Sequence, residues 1–162
     1  MIMRIISESV TNDHFSDACG TRGGDRSPHV CIIGAPGAAV SFALILEDRD
    51  AFPVTGGFSW IHWTLCDFTQ QELPENASSE DPELIQGINS YTSVQGGSRP
   101  AEECVGYCGM SPPNEAHLYT IHIYALDTMT GLQTGFGMHE LYRAMRGHVL
   151  AEASLDAWYD KV

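Results

Sequence analysis

Three runs of the chain are apolar at consecutive rather than alternate positions: residues 40–46 (VSFALIL), 58–68 (FSWIHWTLCDF) and 117–127 (HLYTIHIYALD). A strand with one wet face alternates apolar and polar residues, whereas a strand covered on both sides reads as a continuous apolar run. A chain with such runs therefore has to lay material on both faces of a sheet. Alternation along residues 58–68 puts Phe58, Trp60, His62, Thr64 and Cys66 on one face and Ser59, Ile61, Trp63, Leu65 and Asp67 on the other. Along residues 117–127, His117, Tyr119, Ile121 and Ile123 share a face opposite Leu118, Thr120, His122, Tyr124 and Leu126.

One helix is predicted, where Met138, Leu141, Tyr142 and Met145 recur at i, i+3, i+4 and i+7, running to Gly147 or to about Leu150. Residues 153–159 are expected to return to the sheet. Residues 69–116 form a long Gly-, Ser-, Pro- and Glu-rich span, with a short strand expected near residues 87–91. Loops of that length in compact domains tend to be functional. The span ends in YCGMSPPNEAH, where a glycine and two prolines imply a rigid loop before His117. The expectation is a mainly β, mostly antiparallel fold with one or two helices near the C-terminus, in a single domain over residues 1–162.

Eight basic residues against 21 acidic ones give a formal charge of −13. Nucleic-acid affinity rests largely on Lys and Arg at phosphates, so no nucleic-acid partner is expected, nor electrostatic docking on anionic lipid. Any anion must be captured by local donors against the field of the whole molecule. No run approaches the ~20 apolar residues of a membrane span, and the N-terminus has no apolar segment leading to a cleavage site, so residence is expected to be cytoplasmic. Five cysteines do not make a disulfide framework. Cys31 and Cys66 read as core residues. Cys104 and Cys108 have a metal-like spacing without a second ligand pair, so free thiols are expected, with no metal and no cofactor.

Acids and imidazoles stand at the ends of the core strands. Asp48 and Asp50 follow the first run, His62 lies early in the second, and His117 and Tyr119 open the third. If adjacent antiparallel strands bring these ends together, carboxylates orient the imidazoles and favour their protonated form, leaving the far N–H groups to donate outward. The loop at Gly109, Met110, Ser111, Pro112 and Pro113 would add backbone donors and stiffness. Taken singly, His62 reads equally as a core histidine and Asp48 and Asp50 as turn acids; only their conjunction points to a site. His29, His122, His139 and His148 lie off these segments and read as structural or surface residues.

The ordered series DRSPH, ILEDRDAF, GGFSWIHW, YCGMSPPNEAHLY, IYALD and GHVLAEASL resembles the phosphatidylethanolamine-binding protein family, in its bacterial and archaeal, Raf-kinase-inhibitor-like branch. The resemblance implies a large antiparallel sheet packed with a smaller one and helices near the C-terminus. It also implies an anion pocket for phosphate, carboxylate or a phospholipid headgroup. That pocket would be lined by Asp48, His62, Gly109, Pro112, His117 and Tyr119, with Asp50 and Trp60 beside it. Arg49 and Phe52 stand where the family motif has prolines, and Leu118 where it commonly has arginine. By the same resemblance the chain is a non-enzymatic binder, a candidate regulator of a kinase or protease, and able to form a homodimer. Two other readings stay open: a hydrolase or lyase using Asp48, His62 and His117, and an interaction module with a vestigial pocket. No G-x-S-x-G, H-E-x-x-H or phosphate-binding G-x-x-x-x-G-K-S/T motif occurs.

Overall fold

The doubly apolar runs become the three central strands of the protein. The computed structural model describes residues 2–162. In chain order the strands are β1 (Arg4–Ile6), β2 (Val10–Thr11), β3 (His14–Phe15), β4 (Val30–Ile33), β5 (Ser41–Asp48), β6 (Trp60–Phe68), β7 (Glu72–Leu73), β8 (Ile85–Gln86), β9 (His117–Leu126) and β10 (Val149–Tyr159). The α-helices are α1 (Phe52–Thr55), α2 (Ala77–Glu80) and α3 (Met138–Met145). Seven strands form one sheet in the order β2-β3-β10-β9-β5-β6-β8, and β1-β4-β7 form a smaller one. Pairing is antiparallel except between β10 and β3, which meet in parallel.

Burial explains the patterning. Leu44, Leu46, Trp63, Leu65, Tyr119, Ile121 and Ile123 face the small sheet and close a core with Ile5, Val30 and Ile32. On the opposite face Ala43, Ile45, Cys66 and Leu126 are covered by Phe136 and by Leu141 and Met145 of α3. Full burial of each such aliphatic side chain stabilises by about 1.5–3 kcal/mol relative to exposure. Both faces are therefore apolar.

Strict alternation fails in β6. Glu47 pairs with Ile61 and Leu46 with Trp63, so His62 is an extra residue without a partner across the ladder. Thr64 pairs with Ile45, and Thr64 and Cys66 consequently lie on the α3 side, not with Trp60 and His62 as alternation predicts. A second irregularity follows between the Leu44–Leu65 and Phe42–Phe68 pairs, where Asp67 takes φ +58°. Bulges of this kind re-aim side chains, and they cluster near functional sites.

Helix α3 has the expected period but ends at Met145 rather than near residue 150; Gly147 then takes φ +82° and β10 begins at Val149. That left-handed backbone costs a non-glycine residue about 1–2 kcal/mol, which makes Gly147 a firm stop. The other α-helices are single turns in the β5–β6 and β7–β8 connections, not near the C-terminus. The returning segment starts four residues before the expected 153 and runs the full length of β9. The short strand expected at residues 87–91 lies earlier, as β8, followed by isolated bridges at Gly87 and Ile88. Residues 69–116 are pinned to the sheet, with Gly87 N–H donating to the Thr64 carbonyl at 2.9 Å and Cys108 N–H to the His62 carbonyl at 2.9 Å. Cys66 is buried, while Cys31 is only half-buried because it lies on the outer face of the small sheet's β4.

Candidate functional site

Strand register assembles the site. Asp48, the last residue of β5, pairs with Tyr119 of β9 on one side and Trp60 of β6 on the other. His62 is the bulged residue next to this trio, and its ring meets Tyr119 edge-on at 5.2 Å between centroids. Beyond Asp48 the chain turns through a 3-10 helix, Arg49–Ala51, into α1. The Asp50 carboxylate accepts the Leu118 N–H at 2.8 Å and ties this turn to β9. No cis peptide bond occurs among the described residues, and Arg49 lies 3.6 Å from Glu47 on the outward face.

Asp48, Trp60, His62, Gly109, Pro112, His117 and Tyr119 line one cavity of about 240 Å³. Asp50 does not line it; its role is to hold the turn. Ala51, Val54, Thr55, Tyr91, Gln95, Ser111 and Pro113 complete the wall. No Lys or Arg side chain lines it. Tyr91 and Gln95 come from 3-10 turns inside the long span, which carry no hydrophobic period and so gave no signal in the sequence. Tyr91 packs edge-on against Trp60 at 5.3 Å, and the Arg99 guanidinium sits 4.2 Å from the Tyr91 ring centroid. Asp25 was also unforeseen. Its carboxylate oxygen occupies the position a Cβ would take on Gly109, so any larger residue there has to displace the Asp25 side chain.

The imidazoles do not present themselves as expected. His117 Nδ1 lies 2.7 Å from Asp48 Oδ2 and its Nε2 lies 2.7 Å from Asn114 Oδ1, so both nitrogens are engaged by the protein. No far N–H is left for a ligand. His62 Nδ1 lies 2.7 Å from the Cys108 carbonyl oxygen. A carbonyl only accepts, so the proton sits on Nδ1. Nε2 has no hydrogen-bond partner among the described residues, and His62 lines the cavity while only 4% exposed. Burial holds this imidazole's proton affinity below its ordinary value, opposed by the Cys108 carbonyl and by Asp48. In the neutral form Nε2 is therefore an acceptor, not the donor that protonation would have made it. Asp48 Oδ1 is buried without a partner. Burial and the Asp48 carboxylate push the Tyr119 phenol well above its usual range, so it stays protonated.

Residues 6–160 match the family described as phosphatidylethanolamine-binding protein. The chain belongs to that family. Bacillus subtilis YxkA is 47% identical over 124 residues, covering 75% of this chain and 73% of the relative. A protein of the archaeon Methanothermobacter thermautotrophicus is 35% identical over 137 residues, covering 85% and 84%. Among solved structures, a phosphatidylethanolamine-binding protein homologue from Chlamydia trachomatis superposes with TM-score 0.85 at 28% identity, over 99% of each chain. Escherichia coli YbcL shares the fold at TM-score 0.78 and 22% identity, over 100% of each chain. The two-sheet architecture of this phosphatidylethanolamine-binding family member is thus that of its relatives.

One cluster elsewhere has metal-ligand chemistry: Glu8, His29 and Glu72, with ligand atoms within 4.8 Å of one another. His29 Nδ1 accepts the Glu8 N–H at 2.9 Å, which puts the ring proton on Nε2, 2.7 Å from Glu72 Oε1. The neutral ring has no free lone pair, so the cluster fastens β4 to β7 rather than preparing a metal site.

Proposed function

We propose that this protein is a non-catalytic binder whose cavity captures a small phosphate-like or carboxylate-like group, free or as a phospholipid headgroup. Occupancy would then serve ligand carriage or the regulation of a protein target such as a kinase or protease. The reading is carried by one observation: His62, Asp48, His117 and Tyr119 converge from three strands on a single cavity closed by the loop at Gly109, Ser111, Pro112 and Pro113. A glycine and rigid prolines let a ligand approach the backbone closely. Among the described residues no helix is long and apolar enough to cross a membrane.

A proton-transfer enzyme has less support. The Cys108 thiol lies 3.6 Å from His62 Nδ1, the nearest approach to a nucleophile–base pair, but burial pushes it up to about 12 and keeps it protonated. His117 has no nitrogen free to exchange a proton with a substrate.

Isothermal titration of the protein with phosphate and with phosphorylethanolamine tests the proposal. Saturable binding is expected, weakened at least about tenfold (~1.4 kcal/mol) in His62→Ala, the scale of one lost hydrogen bond to a charged group. Unchanged affinity in that variant would place the ligand somewhere other than this cavity.

A further inference from the structure

The inner wall of the cavity is rich in acceptors. His62 Nε2 faces it as a lone pair, because the ring's one proton is committed to the Cys108 carbonyl at 2.7 Å. Rotating the ring to present an N–H would strip that buried carbonyl of its donor, at a cost of about 1–3 kcal/mol. Beside it stands the carboxylate of Asp48, whose Oδ1 is buried and unpartnered. The other titratable groups around His62 leave no net positive charge facing the cavity. Tyr119 is a protonated phenol from β9, and Tyr91, from the 3-10 turn, has its phenol raised by burial. Cys108 is a protonated thiol, and Asp25 lies behind Gly109. His117, also from β9, donates from both ring nitrogens, to Asp48 Oδ2 and to Asn114 Oδ1, so its charge is spent on Asp48. A fully deprotonated dianion entering here would meet a lone pair at His62 Nε2 where it needs a donor, and no net positive charge to offset its own.

We infer that the cavity selects oxyanions that carry their own proton, the P–OH of a singly protonated phosphate monoester donating to His62 Nε2, and that it rejects sulfate, which has no proton to give. The inference deepens the anion-binding reading and rests on it. The bound ester keeps its single negative charge, its hydroxyl proton lies in the hydrogen bond to Nε2, and its remaining oxygens face the loop at Gly109 and Ser111. His62 is then the specificity-determining residue: the proton it needs arrives with the ligand.

The pH dependence follows with a definite sign. A phosphate monoester loses its second proton near pH 6. Above that pH the free dianion must take up one proton to bind, so Kd rises about tenfold per pH unit.

Calorimetric titration of the full chain with methyl phosphate and with sulfate, from about pH 5.5 to 8.5 and in two buffers of different ionisation enthalpy, tests this. Expected are uptake of about one proton per methyl phosphate at the alkaline end, and sulfate binding at least about tenfold weaker at every pH. His62→Gln places an amide donor near the former Nε2, and is expected to flatten the pH slope and narrow the sulfate gap. If that variant fails to fold, the two-ligand comparison on the unaltered protein decides alone. Equal binding of both anions with no proton uptake would overturn the inference and leave the anion-binding reading standing. Binding of neither at any pH would overturn both.

Discussion

Asp48 is satisfied on one side only. Oδ2 accepts the His117 Nδ1–H at 2.7 Å, both side chains are almost wholly buried, and Oδ1 has no partner among the described residues. Breaking a buried charged pair from one side is costly, because the survivor loses its compensation without regaining water. Asp48→Ala is therefore expected to destabilise by about 3–5 kcal/mol, and Asp48→Asn by less because it keeps an oxygen acceptor for His117. Urea unfolding of both variants measures this, and a cost under about 1 kcal/mol for the alanine would show that the pair is not structural. That Asp48, His62 and His117 meet was legible in the sequence, because acids and imidazoles at the ends of core strands need partners. Which nitrogen of His62 carries the proton was not. It depends on a carbonyl 46 residues further along the chain, in a loop with no periodicity.

At the scale of elements, the strands were legible and their irregularities were not. Apolar runs mark β5, β6 and β9 because both faces are covered, but the same runs hide a bulge, since inserting one residue leaves the apolar character intact. The register shift at His62 is visible only when β5 is laid alongside. It brings both His62 and Trp63 to the side of Tyr119, one facing the cavity and the other in the core. The loop that closes the cavity has a parallel dependence on close packing. Asp25, itself at φ +55°, fills the space above Gly109. Gly109→Ala is expected to swing that exposed carboxylate into solvent or shift the loop, at about 1 kcal/mol, the lower end of the range for inserting a methyl into a packed site. Asp25→Ala combined with Gly109→Ala should recover much of the loss, because truncating one partner makes room for the other. A double-mutant cycle by urea unfolding reads the coupling, and strict additivity would mean that the two residues do not compete for space.

For the molecule as a whole, the charge of −13 sets the terms on which an anion arrives. Most anion sites draw ligands with a positive field, and salt weakens them by screening that attraction. Here no Lys or Arg lines the cavity, and the Arg99 guanidinium is engaged by the ring of Tyr91. Capture must rely on short-range hydrogen bonds that act only after the ligand has crossed a repulsive field. Screening shortens that field from about 30 Å at 0.01 M salt to about 8 Å at 0.15 M while leaving interactions inside the cavity nearly untouched. Affinity for methyl phosphate at fixed pH is therefore expected to strengthen over that range, by up to a few-fold, the reverse of a lysine- and arginine-built site. Potassium chloride serves as the screening salt, since chloride has no proton to donate to His62 Nε2. Calorimetry at the two salt concentrations distinguishes the cases: weakening with salt would mean that a basic surface elsewhere gathers the anion, and that the cavity's own hydrogen bonds are not what holds it.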